Sequence, residues 1–248
     1  MAEAAEGQAR ATFSPAMKQP LLLLHGALGS AQQLQPLANA LAADFAVHTF
    51  SFPGHGGRPL DPEHFTMTHF AAEVSYFLAE HQLDDVHVFG YSMGGYAAVL
   101  SAATDPGRIR SITTYGTKFD WSPETVATET GMLDPAKMQA KIPQYVEHLQ
   151  RTHAPTEWHA VVEATAAMLR ELGEAPPLNE LNLSQLTIPL QVLVGELDTT
   201  AGVEASRQFA AYLQNATFEV LPNTIHALER ADLPGLALRV REFAAATV

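Results

Sequence analysis

The feature of this 248-residue chain that most restricts its fold is a rhythm: short, almost continuously apolar runs alternate with longer amphipathic stretches. The runs fall at 21–24, 45–52, 86–90, 110–116, 190–195 and 217–221. Brevity and near-continuous hydrophobicity are the pattern of strands buried on both faces of a sheet. Between the runs, residues 32–43 place Leu34, Leu37, Ala38 and Leu41 on one helical face, and residues 67–81 do the same with Phe70, Val74, Phe77 and Leu78. Further helical patterns follow Met93, Gly202 and Leu228. Strands that alternate with helices imply βαβ crossovers. The expected class is α/β, with a mostly parallel sheet of at least six strands flanked by helices.

One interval breaks the rhythm. Residues 118–183 carry no strand pattern, only helix-like stretches punctuated by Pro123, Pro135, Pro143, Pro155, Pro176 and Pro177. Proline is favoured in the first turn of a helix, where its missing N–H has no partner to lose. Ser122-Pro123-Glu124, Asp134-Pro135 and Thr156-Glu157 therefore read as helix starts. A bare loop of this length is out of place in a compact domain. The expected organisation is a core domain of residues 1–117 and 184–248, with a cap of three or four helices at 118–183 inserted late in the sheet. Both tryptophans, Trp121 and Trp158, fall in the cap.

Charge and cysteine content remove whole classes of function. Lys plus Arg number 14 against 27 Asp plus Glu, a formal charge of −13, so no basic footprint is available for phosphates or anionic lipid. No stretch approaches the roughly 20 apolar residues of a membrane-spanning helix. With Cys at 0, thiolate nucleophiles, disulfides and Cys-based metal sites are excluded. His64, His69, His148, His153 and His159 do not follow a zinc-binding spacing, so neither a metal nor another cofactor is expected. Residues 1–10 lack the basic-then-apolar pattern of a secretion signal. These observations lead to the expectation of a cytoplasmic monomer or homodimer acting on a small molecule, with neither nucleic acid nor membrane as partner.

The chemistry concentrates in Gly90-Tyr91-Ser92-Met93-Gly94-Gly95, directly after the run 86–90 and before a helical pattern. This is G-x-S-x-G in the strand–turn–helix setting that lifts a serine hydroxyl clear of a sheet end. Bulky side chains two residues to either side would clash in so tight a turn, hence Gly90 and Gly94. A serine is a weak nucleophile and needs a base that is oriented by an acid. His226 follows the last run and precedes the last helical pattern. Asp198 closes Gly195-Glu196-Leu197-Asp198, just past the run 190–195. Serine, acid and histidine occur in that order with gaps of 106 and 28 residues, the order of α/β-hydrolases. Glu196 and Asp120 are the alternative acids.

From Leu21 onward the chain resembles cap-bearing serine hydrolases of the α/β-hydrolase fold, most loosely in the cap. Leu24-His25-Gly26-Ala27-Leu28-Gly29 resembles the oxyanion loop of that family, and Phe52-Pro53-Gly54-His55-Gly56-Gly57 resembles its Pro-Gly-His-Gly loop. The resemblance implies an oxyanion hole formed by the backbone N–H groups of Ala27 and Met93. His25, Tyr91, Lys118, Trp121 and Trp158 are candidate substrate contacts; for His25, as for His55, the alternative is a role in fixing its loop. Met132, Met138 and Met168, with the two tryptophans, either line an apolar pocket or pack the cap onto the core. Arg58, after the Pro-Gly-His-Gly loop, reads as solvated charge. The hairpin that many members carry before the first strand is shortened or missing, and residues 10–14 are the candidate for one edge strand.

The expected activity is hydrolysis of a small carboxylic ester through an acyl-enzyme on Ser92, with His226 as base and Asp198 as orienting acid. Ser92 stands where dehalogenases and epoxide hydrolases of this fold carry an aspartate. Met93 stands where its proline-cleaving peptidases usually carry a tryptophan. Two alternatives use the same scaffold. The same triad can hydrolyse a carbon–carbon bond or eliminate pyruvate: the elbow and Gly54-His55-Gly56-Gly57 are similar to segments of the menaquinone-pathway synthase, although Tyr96 replaces its arginine. The other alternative is a ligand-binding receptor.

Overall fold

A computed structural model describes residues 18–247 of the chain. Its strands are β1 (Pro20–Leu24), β2 (Ala46–Thr49), β3 (Val86–Tyr91), β4 (Ile109–Tyr115), β5 (Leu190–Gly195) and β6 (Ala216–Leu221). They form one sheet in the order β2-β1-β3-β4-β5-β6, and every neighbouring pair is parallel. The chain reverses direction across the sheet between β1 and β3, which creates a crevice beyond the carboxyl ends of those strands. Register sets Leu24 beside Gly90, and Tyr91 beside Tyr115. The segments that follow β1, β3 and β4 therefore emerge together.

Both faces of the sheet are covered, which explains why the strands read as continuous apolar runs. On one face Leu22, Leu24, Val88 and Ile112 pack with α2 (Met67–Glu80) and α3 (Met93–Thr104). On the other, Leu21, Leu23, Phe89 and Leu193 pack with α1 (Gln35–Leu41) and α10 (Leu233–Ala246). α9 (Val203–Tyr212) links β5 to β6. The run 45–52 yields only four residues of strand. Phe50 and Phe52 leave the ladder to stack on Phe77 and Phe70 of α2, at ring-centroid distances of 4.8 and 5.0 Å.

Residues 118–183 lie between β4 and β5 and hold five helices where three or four were expected: α4 (Pro123–Met132), α5 (Pro135–Lys141), α6 (Pro143–His153), α7 (Trp158–Glu174) and α8 (Glu180–Ser184). Ser122 caps α4 and Asp134 caps α5, each accepting a first-turn backbone N–H. α5 and α6 meet at Ile142 with no linker, because Pro143 has no N–H to continue the ladder. α8, five residues long and closed by an Asn179 capping box, is too short to show a period. The candidate edge strand at 10–14 lies outside the described residues. Among those described, no helix is long and apolar enough to cross a membrane.

Candidate active site

Ser92 sits between the end of β3 and the start of α3 with φ 51° and ψ −116°, a left-handed backbone that side-chain-bearing residues rarely adopt. Such strain costs on the order of 1–3 kcal/mol and persists only where the surroundings enforce it. Here they do. Ser92 N–H donates to the Tyr115 carbonyl (2.9 Å), and the Ser92 carbonyl accepts from Gly95 N–H (3.0 Å) and from the Thr117 hydroxyl (3.1 Å). A Cβ on Gly90 would lie 2.4 Å from Gly95 Cα, and one on Gly94 would lie 2.5 Å from the Leu24 carbonyl oxygen. The turn closes only with glycine at both positions.

The loop after β5 carries Asp198, whose side chain is fully buried. Its Oδ1 accepts from the N–H groups of Thr200 (2.9 Å) and Ala201 (2.8 Å), and its Oδ2 lies 2.9 Å from Nδ1 of His226. A carboxylate only accepts, so Nδ1 carries the proton and Nε2 of His226 is left with a free lone pair. The Tyr115 hydroxyl donates to the Ile225 carbonyl (3.2 Å) and steadies the loop that holds the histidine. Gly116, at φ 61°, lies beneath the pair: a Cβ there would come 3.1 Å from Asp198 Oδ2 and 3.2 Å from His226 Nδ1. Sequence reasoning missed Gly116, although it ends the run 110–116. Neither alternative acid is the partner of His226 Nδ1. Exposed Glu196 accepts from Asn223 N–H (2.9 Å), and Asp120 is exposed, its carbonyl accepting from the Thr125 hydroxyl (3.0 Å).

Ser92 and His226 line one cavity of about 1280 Å³, together with Ala27, Tyr91 and Met93. Its other wall comes from residues 118–183, including Lys118, Trp121, Glu129, Met132, Met138 and Met168. Lys118 Nζ donates to the Thr200 carbonyl (2.9 Å) and stands 3.7 Å from Glu129 and 5.8 Å from the Trp121 ring centroid. Burial raises the Glu129 carboxyl above its ordinary range, against the opposing pull of the Lys118 ammonium. Glu129 had no distinguishing motif in the sequence.

Two expected substrate contacts do not line this cavity. Trp158 packs into the apolar core. His25 is fully buried, with Nδ1 donating to the Gly26 carbonyl (2.8 Å) and Nε2 accepting from Phe52 N–H (3.0 Å), so the ring ties two loops together. Burial outweighs the Gly26 hydrogen bond and pushes its pKa down to about 4. His55 and His153 continue the layer, with ring centroids 5.1 Å (His25–His55) and 5.6 Å (His55–His153) apart. His153, at the end of α6, accepts from Gly56 N–H at Nδ1 (3.2 Å) and donates from Nε2 to the Leu28 carbonyl (3.1 Å). Arg58 pairs with Glu73 (2.9 Å) instead of facing the cavity. Among the described residues, no group of three or more His, Asp or Glu is arranged to hold a metal ion.

Residues 19–177 match the family described as alpha/beta hydrolase fold, and the chain belongs to that family. It is 27% identical over 171 residues to an sn-1-specific diacylglycerol lipase of Xenopus tropicalis, covering 68% of this chain and 48% of that one. It is also 34% identical over 95 residues to a pimeloyl-[acyl-carrier protein] methyl ester esterase of Aeromonas hydrophila, covering 38% and 36%. The chain thus spans about half, or less, of the length of these curated relatives. Among solved structures, a thermophilic esterase from Thermogutta terrifontis superposes with a TM-score of 0.75 at 21% identity, covering 93% of this chain and 91% of that one. MenH from S. aureus does so with a TM-score of 0.72 at 19% identity, covering 96% and 97%.

Proposed function

We propose that this chain is a serine hydrolase of carboxylic esters, with residues 1–117 and 184–248 as the catalytic core and 118–183 as a cap. The observation that carries the reading is the 2.9 Å Asp198–His226 pair beside a cavity into which the strained Ser92 turn also opens. Relatives named as a lipase and an esterase support it.

Ser92 Oγ attacks the ester carbonyl carbon while its proton passes to His226 Nε2, and Asp198 stabilises the imidazolium at Nδ1. The carbonyl oxygen becomes an oxyanion facing the N–H groups of Ala27 and Met93; the latter heads α3, where first-turn amides have no intrahelical acceptor. The C–O bond breaks and the alcohol leaves with the proton from His226. Water then attacks the acyl-enzyme, giving a proton to His226, and the acid departs as Ser92 Oγ recovers that proton. Hydrolysis of p-nitrophenyl acetate and octanoate by the wild type and Ser92→Ala tests this. The substitution is expected to lower kcat on the order of 10⁴-fold or more. A variant with wild-type rates overturns the assignment.

A further inference from the structure

The cavity is larger than a small ester requires. At about 1280 Å³ it exceeds the roughly 300–1,000 Å³ of ordinary small-molecule sites. Its lining has a compositional bias. The chain has seven methionines; Met1 and Met17 lie outside the described residues, and the remaining five, Met67, Met93, Met132, Met138 and Met168, all line this cavity. Methionine is unbranched, flexible and polarizable, so a wall built from it conforms to an apolar chain that has no fixed shape.

The lining also takes in five of the nine large apolar side chains that stand most open to water among the described residues; Leu181, Tyr76, Leu238 and Tyr212 lie elsewhere. Met132, Ile142, Tyr145, Leu197 and Ile225 are each 40% or more exposed, and all five belong to the lining. Exposed apolar side chains gathered at one feature mark a binding surface, whereas scattered ones need no explanation. Charged groups of the wall are paired within the molecule: Lys118 with Glu129, Arg151 with Glu147 (3.9 Å), and Glu229 with the Gln33 amide (2.7 Å). The wall therefore offers area to hydrocarbon, and Glu229, whose partner is a neutral amide, leaves it a negative charge that repels an anionic headgroup.

We infer that the substrates are esters bearing a flexible aliphatic chain of about eight carbons or more, which lies along the methionine wall with the ester at Ser92. This rests on the ester-hydrolase reading and names its substrate class. A chain on the acyl side and a chain on the alcohol side share this chemistry, and the test separates them.

Two series are assayed below their critical micelle concentrations: p-nitrophenyl esters from acetyl to decanoyl, and alkyl acetates from ethyl to decyl. In the series whose long arm occupies the wall, kcat/KM is expected to rise about two- to fourfold per methylene until the chain fills it. The methionines make the optimum broad. Met132→Glu, at a surface position where folding is not at stake, is expected to reduce the long-to-short ratio about tenfold. Independently of turnover, Ser92→Ala is titrated with 1-decanol while the fluorescence of Trp121 is followed; saturation is expected with decanol and not with ethanol. Two series that stay flat or fall beyond four carbons overturn the inference, even where Ser92 proves to be the nucleophile. If no ester is hydrolysed, the ester reading falls. The decanol titration then decides the cavity alone: saturation supports the apolar-chain site and its absence overturns it.

Discussion

The two walls of the cavity are built to different tolerances. On the core side, geometry is set by backbone. The Ser92 turn closes because there is no room for even a methyl group at Gly90 and Gly94, and beneath Asp198 and His226 the left-handed backbone of Gly116 favours glycine while a Cβ there would crowd the pair at 3.1–3.2 Å. On the other side, residues 118–183 contribute three of the five methionine side chains, which bend, and a Lys118–Glu129 pair held at 3.7 Å. The contrast separates two demands on an enzyme. Charge development at a reacting carbonyl rewards donors fixed to within a fraction of an ångström, whereas accommodation of a chain rewards area that can change shape.

That comparison can be broken most sharply at Asp198. Asp198→Asn keeps the shape but offers His226 Nδ1 an amide. In the proposed mechanism kcat should fall on the order of 10³- to 10⁴-fold for every ester, with decanol binding unchanged by fluorescence titration. A loss confined to long esters would place Asp198 in substrate selection instead.

A second and smaller effect concerns the histidine layer that joins the two walls. Burial holds His25, His55 and His153 below the usual imidazole value of 6.5, His25 at about 4. Between those limits the unfolded chain binds protons that the folded chain refuses. Stability is therefore complete above about pH 6.5 and declines as pH falls toward 4, with His25 alone accounting for roughly 3 kcal/mol. Urea unfolding at pH 7.5 and pH 5 measures this, and His153→Gln should remove only the share that belongs to residues 118–183. A slope with pH that His25→Gln leaves unchanged would refute it.

The smallest expected effect lies at Glu129. Glu129→Gln leaves the Lys118 ammonium without its counter-charge in a mostly buried setting and is expected to cost about 1–3 kcal/mol. Adding Lys118→Met should recover most of that loss, because the unpaired charge goes with it; a double-mutant cycle by urea unfolding gives the coupling. A coupling near zero would make the pair incidental to the wall.

What was legible in the sequence follows the same division. Five of the six strands stand within a residue or two of the apolar runs; the run 45–52 instead turns its last residues away into aromatic packing on α2. The helix start at Trp158, after Thr156-Glu157, has no side-chain cap, whereas those at Pro123 and Pro135 were readable because their capping residues, Ser122 and Asp134, are adjacent in the chain. The Ser92 turn was readable for the same reason, since its glycines lie within three residues of it. Contacts between distant segments were not. His153 reaches the Leu28 carbonyl across 125 residues of sequence, and nothing local to either marks the meeting. Lys118 was noticed for its position just past a strand and Trp121 as a tryptophan of the interval 118–183, but Glu129 acquires its place only when α4 folds back over the site. His25 was grouped with the substrate contacts because it neighbours Gly26 and Ala27, and the fold turns its ring inward toward Phe52.

The methionine wall also concentrates the redox chemistry of the molecule. The chain has no cysteine, so every sulfur atom in residues 18–247 borders the same cavity. Conversion of a thioether to its sulfoxide replaces a soft apolar surface with a polar, chiral one, and is reversed only by dedicated reductases. Met132, 59% exposed, is the first that a peroxide arriving from solvent would meet. Oxidative wear in this protein begins where hydrocarbon is received, and the Asp198–His226 pair contains no sulfur to lose.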